Sequence, residues 1–155
     1  MGSEVSIASA RDEDIDAVVE LLDRQLLEHG VGTSAPKLRH AVAAVLEDKR
    51  LGFILTARMG ASIVGCACIS YVWSMEHAGR AAWLEEMYVI PGHRSAGVGE
   101  ALLIEALRRA AAERCSAMDL EVDGSHARAS NLYERRGFVR LGRARWVKRL
   151  DRAGE

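Results

Sequence analysis

Apolar side chains fall along this chain in two alternating rhythms, near-continuous runs typical of buried strands and stripes with helical spacing. Val5 to Ser9 reads as a first strand. Asp12-Glu13-Asp14 then open a helix in which Ile15, Val18, Val19, Leu22 and Leu26 share a face, ending near His29-Gly30. Ser34 and Pro36 open a second helix, with Leu38, Val42 and Val45 inward, to about Lys49. Gly52 to Arg58 and Ala61 to Trp73 flank Met59-Gly60 as a hairpin, and a further strand runs from about Ala81 to Val89. Leu102, Leu103, Ala106, Leu107 and Ala110 make the stripe of a third helix, followed by a strand from Ala117 to Val122. A helix follows over 126–136, and Phe138 to Leu141 with Arg145 to Leu150 are expected to close the fold as a hairpin. The expectation is a mixed α/β (α+β) chain, one domain over 1–155, without repeats or a linker.

The strand at Val89 breaks at Pro91, turns through Arg94, Ser95, Ala96, Gly97, Val98 and Gly99, and resumes as the third helix. A helix start leaves its first amides without helical partners and carries roughly half a positive charge, so anions bind there if nothing obstructs them. Gly97 and Gly99 remove the obstruction, and Gly97 can take the positive φ that curves successive N–H groups around one anion. An ordinary strand-to-helix turn is the plainer alternative. Glu100-Ala101 stands where a mononucleotide P-loop needs Lys-Ser or Lys-Thr. Leu102 stands where a dinucleotide fingerprint needs its third glycine. The strand, helix and next strand form a βαβ crossover, which sets its two strands parallel and puts the helix start at their carboxyl end.

Arg94 through Gly99 resembles the Arg/Gln-x-x-Gly-x-Gly/Ala signature of the GCN5-related N-acetyltransferase (GNAT) superfamily, which wraps the pyrophosphate of acetyl-coenzyme A. About 34 residues further on, Asn131-Leu132-Tyr133-Glu134-Arg135-Arg136-Gly137-Phe138 is similar to the family's helix ending in Tyr-x-x-x-Gly-Phe. The resemblance runs from Val5 to Trp146. It implies a mixed twisted sheet whose two parallel strands splay apart to take the acyl-pantetheine arm. Backbone amides of Met87, Tyr88 and Val89 would then meet the thioester carbonyl near a β-bulge.

Amine attack on a thioester needs a base for the ammonium and an acid for the departing thiolate. The resemblance assigns the acid to Tyr133, a phenol able to donate as charge develops. It assigns the base to Glu85, directly or through water. Strand alternation sends the adjacent Glu86 to the opposite face, and a bulge could exchange the two. Asn131 matches family members that bond the cofactor arm, and Arg136 with Arg135 is available to the 3′-phosphate, or to solvent. His126 stands where many relatives carry Asn, as a substitute donor or a second proton carrier. The acceptor, a small-molecule or peptide amine, is expected at the first two helices, His29 to Ala35 and the rim Ser74 to Gly79.

With 155 residues, 49% apolar and 28% charged, the chain can bury a substantial core. A net charge of −1 gives no general attraction to nucleic acid. Residues 1–30 hold eight acids against Arg11 and Arg24, whereas residues 134–155 hold eight bases against three acids. An acid-rich start favours a cationic acceptor such as a polyamine, an amino sugar or a protein amino terminus. No apolar run is long enough to span a bilayer, and Met1-Gly2-Ser3-Glu4 lacks the regions of a signal peptide, so a cytoplasmic chain without membrane partners is expected. Cys66, Cys68 and Cys115 are expected as reduced thiols, Cys115 as a small core residue rather than an acyl carrier. Scattered histidines and the lack of Cys-x-x-Cys predict no metal site. A homodimer is left open. The rival readings are a non-catalytic acyl-CoA sensor and a nucleotide-binding protein. Retention of Glu85, Tyr133 and both glycines argues against the first, and the missing Lys-Ser/Thr against the second.

Overall fold

The computed structural model describes residues 4–150; Met1 to Ser3, on which part of the signal-peptide expectation rests, lie outside them. Backbone contacts group the chain into a larger unit ending at Glu121 and a smaller one beginning at Val122.

The larger unit holds five strands in the order β1 (Val5–Ser9), β2 (Gly52–Met59), β3 (Ser62–Ser74), β4 (Gly79–Val89) and β5 (Met118–Leu120). All neighbours are antiparallel except β4 and β5, the parallel pair expected from the crossover. Helices α1 (Ile15–Glu28) and α2 (Ala35–Glu47) precede β2, and α3 (Val98–Ala112) joins β4 to β5. The sheet is therefore mixed, as the sequence pattern requires.

Both faces of the sheet are covered, and strand alternation decides by what. Ile54, Cys66 and Tyr88 cluster with Val18, Val19, Leu21 and Leu22 of α1 and Val42 of α2. The neighbouring Gly65 points the other way, and a Cβ built there would stand 3.3 Å from Leu102 Cδ1 of α3 and 2.9 Å from the Tyr88 carbonyl oxygen. So α1 and α2 lie on one face, and α3, through the buried Val98, Leu102, Leu103 and Ala106, on the other. Burying these apolar stripes supplies the main driving force of the fold, at about 25 cal/mol per Å² of apolar surface.

Local caps match the sequence signals. Ser34 Oγ accepts the Lys37 N–H at 3.4 Å, with Pro36 in the first turn of α2. The acidic start of α1 is used differently. Asp12–Asp14 form a short 3-10 turn, and Asp14 is 3% exposed, accepting the Arg11 N–H at 2.9 Å and pairing with the Arg58 guanidinium of β2. Burial alone would raise the Asp14 carboxyl, but the Arg11 amide and Arg58 together hold it below its ordinary 3.8. A depressed folded pKa contributes stability that is complete above about pH 4 and is lost as pH falls through the folded value. The melting temperature of the parent should therefore fall as pH is taken below about 4. Asp14→Asn should start lower at pH 7 and fall less over that acid range; parallel curves would take the acid sensitivity away from Asp14.

The smaller unit contains α4 (Ala127–Arg135). The hairpin expected from Phe138 to Leu141 and Arg145 to Leu150 does not form; no strand is present after Leu120 among the described residues. Val139, Leu141, Trp146, Val147 and Leu150 are exposed and fall on both phases of a two-residue repeat, with Arg140, Arg143, Arg145, Lys148 and Arg149 among them. No single face can be buried, so the segment lacks what would hold it in a ladder.

Candidate active site

The parallel pairing of β4 with β5 covers only Ala82 to Leu84 against Met118 to Leu120. Beyond it, β4 runs on from Glu85 to Val89 with no β5 partner among the described residues. The register changes at the same point: Ile69 of β3 stands opposite Leu84 and Cys68 opposite Glu86, so Glu85 is the extra residue of a β-bulge. The bulge lies at the Glu85 and Glu86 pair, two residues before the Met87 to Val89 amides expected to meet the carbonyl.

Its effect on the two carboxylates is new. Glu86 faces Cys68 across the ladder, and the exposed Glu85 accepts the Ser70 hydroxyl at 2.7 Å through Oε1. Cys68 and Ser70 lie two apart on β3 and share the sheet face covered by α1 and α2. The alternation expected for Glu85 and Glu86 is thereby cancelled, and both approach the same face. Half-buried Cys68, hydrogen-bonded to Cys66, partly desolvated and close to Glu86 and Glu85, has its thiol pushed well above the ordinary range and stays protonated. Burial also raises the half-buried Cys115 thiol, which leaves no activated acyl acceptor there.

From Val89 the chain passes through a 3-10 turn, Pro91–His93, into the glycine turn. Ser95 has φ 63° and Gly97 φ 80°, and Gly97 is the N-cap of α3 with no side chain capping the helix. The first helical bond runs from the Ala101 N–H to the Gly97 carbonyl at 2.9 Å, so the amides of Val98 and Gly99 stand ahead of the ladder. A Cβ at Gly97 would meet nothing within 4 Å, and one at Gly99 would make only ordinary contacts, 3.9 Å to Val89 Cγ2 and 4.0 Å to Met87 Cε. Packing does not require glycine at either position. A ligand lying on the main chain would, and this fits a pyrophosphate.

Arg94 is turned to a use the sequence did not reveal. Its Nε donates to the Val89 carbonyl at 2.7 Å, its other end reaches Glu28 Oε1 of α1 at 3.1 Å, and the guanidinium lies 5.1 Å from the Tyr88 ring centre. The Tyr88 hydroxyl donates to the same Glu28 oxygen at 3.0 Å. Burial would raise Glu28, but Tyr88 and Arg94 hold it below the ordinary carboxylate range. Burial and Glu28 in turn raise the Tyr88 phenol. Neither Glu28 nor Ser70 had a local signal. Glu28 is 66 residues from Arg94, and Ser70 is 15 from Glu85.

In the smaller unit, Tyr133 sits in the last turn of α4. The Phe138 N–H bonds the Tyr133 carbonyl at 3.0 Å, the Gly137 N–H bonds the Glu134 carbonyl at 3.1 Å, and Gly137 has φ 86°. This is a Schellman stop, closed by the Tyr133 and Phe138 rings edge to face at 5.7 Å. The spacing Tyr-x-x-x-Gly-Phe is thus what this helix end requires. Asn131, Arg136 and His126 are exposed, His126 as the N-cap of α4. A surface recess of about 480 Å³, lined by Trp73, Gly79, Arg80, Ala112, Glu113 and Arg114, lies at the start of β4, far along that strand from the glycine turn, and includes none of these residues.

The profile of the acetyltransferase (GNAT) family matches residues 15–138. The chain belongs to that family. It is 38% identical over 91 residues, 57% of its length, to a mycothiol acetyltransferase of Streptomyces scabiei (strain 87.22), and 47% identical over 60 residues, 37% of its length, to one of Kineococcus radiotolerans (strain ATCC BAA-149 / DSM 14245 / SRS30216). These stretches span 27% and 20% of the two relatives, so the chain covers about a quarter of such proteins. Solved structures share its fold. An aminoglycoside N-acetyltransferase, AAC(6')-Iy, solved with CoA, superposes with a TM-score of 0.83 at 18% identity, covering 96% of this chain and 97% of that one. A possible acetyltransferase from Clostridium difficile 630 gives 0.82 at 21% identity, covering 96% and 99%. No helix among the described residues is long and apolar enough to cross a membrane, and no group of three or more His, Cys, Asp or Glu able to hold a metal is found among them.

Proposed function

We propose that this GNAT chain is an acetyl-CoA-dependent N-acetyltransferase that transfers acetyl to a primary amine by direct attack in a ternary complex, in the cytoplasm. One observation carries the reading: a bulged β4 that outruns its parallel neighbour leads straight into an uncapped helix start whose two glycines are not needed for packing. Acetyl-CoA supplies an activated acyl group. The turn from Arg94 to Gly99 binds its pyrophosphate, Met87 to Val89 offer amides to the carbonyl, and Asn131 and Arg136 of α4 add contacts to the arm and the 3′-phosphate. Glu85 takes a proton from the acceptor ammonium, directly or through water. The amine nitrogen then bonds the acetyl carbon, the carbon–sulfur bond breaks as Tyr133 gives the thiolate its proton, and the second proton lost from the new amide nitrogen restores the Tyr133 phenol.

Glu85 and Glu86 on the α1 and α2 face favour a cationic acceptor, and the aminoglycoside N-acetyltransferase that shares the fold makes an amino sugar the first choice to test. Acetyl-CoA with glucosamine, spermidine or a short peptide, followed by free thiol, tests the activity. Amine-dependent release is expected; tight acetyl-CoA binding without release from any amine would make the chain a sensor. Glu85→Gln should flatten the rise of kcat/KM with pH more than Glu86→Gln does. The reverse ranking would move the base to Glu86, and two negligible effects would point to water or His126.

A further inference from the structure

A bulge frees the backbone of one residue from the ladder but does not say where its side chain goes. Glu85 is long, exposed and rotatable, and a base must be held where it can meet the proton. Across the strand, Ser70 supplies the missing restraint. It is paired with Trp83 on one side and Gly52 on the other, so its Cα is fixed by two ladders. Its hydroxyl donates to Glu85 Oε1 at 2.7 Å, the short geometry of a charge-assisted bond.

We infer that Ser70 is a positioning residue for acetyl transfer: its hydroxyl pins Oε1 of the bulged Glu85 on the α1 and α2 face and leaves Oε2 to accept the acceptor's proton. The inference rests on the reading of Glu85 as the base. A carboxylate has lone pairs on both oxygens, so engaging one fixes the plane of the group without consuming the other. Ser70 gives up no proton in the reaction. Its bond to Oε1 persists while Oε2 is protonated by the ammonium and the nitrogen lone pair becomes the new amide bond. The bond gives Glu85 a fixed orientation. It also keeps Glu85 on the face of Cys68, whose protonated thiol adds no negative charge.

The test is a double-mutant cycle on the full chain with acetyl-CoA and whichever of glucosamine, spermidine or the peptide is turned over fastest, measured in single turnover. Ser70→Ala should lower the rate about tenfold with acetyl-CoA affinity unchanged, because a misplaced base acts on the chemical step and not on cofactor binding. Ser70→Thr, which keeps the hydroxyl and suits a strand, should restore most of the rate. In a Glu85→Gln background, Ser70→Ala should cost nothing further, since no base remains to be positioned. An equal loss in both backgrounds would make Ser70 merely structural and overturn the inference. So would a parent-like or faster rate for Ser70→Ala when Glu85→Gln is slow, which would leave Glu85 as the base. A parent-like rate for Glu85→Gln removes the base reading and the Ser70 inference together. Should Ser70→Ala lower the melting temperature markedly, Ser70→Cys, nearly isosteric but a weaker donor, takes its place against Ser70→Thr under the same criteria.

Discussion

Gly97→Val should abolish the stabilisation that coenzyme A gives the folded chain. If the turn binds a pyrophosphate through main-chain amides, the parent should gain about 2.7 kcal/mol at a hundredfold excess over Kd, and NAD or ATP should add much less. Gly97 holds φ 80°, and a Cβ there points into space empty of protein to 4 Å. A valine would be strained at that φ and would fill the volume that an anion needs above the amides of Val98 and Gly99. Because a Cβ there meets no neighbour within 4 Å, the unliganded protein should remain folded and lose chiefly the backbone strain, of order 1–3 kcal/mol. Arg94→Ala should weaken coenzyme A binding only in part, since the Arg94 guanidinium is committed to the Val89 carbonyl and to Glu28. Thermal shift and calorimetry read all of these. Parent-like affinity in Gly97→Val would end the cradle interpretation, and with it the strongest support for the activity.

Tyr133→Phe should lower kcat about a hundredfold, within the range for a lost general acid, while acetyl-CoA affinity changes little. Phenylalanine keeps the carbonyl that accepts the Phe138 N–H and the ring that packs on Phe138, and removes the hydroxyl. Single-turnover measurement is needed, because slow product release would hide a chemical defect. An unchanged single-turnover rate would reduce Tyr133 to its capping role.

The elements that the sequence announced most clearly are those set by local chemistry. Apolar periodicity located α1, α2 and α3 to within a few residues, the glycine turn predicted the left-handed Gly97, and the strand-helix-strand order dictated the parallel edge. What stayed hidden depends on pairing across distance. The bulge at Glu85 is a mismatch between two strands and exists only in their register, so neither strand alone encodes the side on which Glu85 and Glu86 lie. The buried Asp14 pair with Arg58 and the Glu28 contact with Arg94 are likewise invisible to any local window. The expected closing hairpin over 138–150 failed for a related reason: apolar content promised strands, but its phase offered no face to bury.

Glu28 has a consequence for anyone exchanging parts among these enzymes. On the proposed function, the segment that carries α1, α2 and their connection is the module to transplant when a new acceptor is wanted, because it lies on the sheet face opposite α3. Yet its residue 28 reaches across to hold the arginine that braces the glycine turn and the hydroxyl of a buried tyrosine. A transplant lacking a carboxylate there would leave that guanidinium without its acidic partner and relax the glycine turn. The module is therefore tied to the glycine turn through the carboxyl end of α1, and on the proposed function a change intended for the acceptor would be felt by the acyl donor.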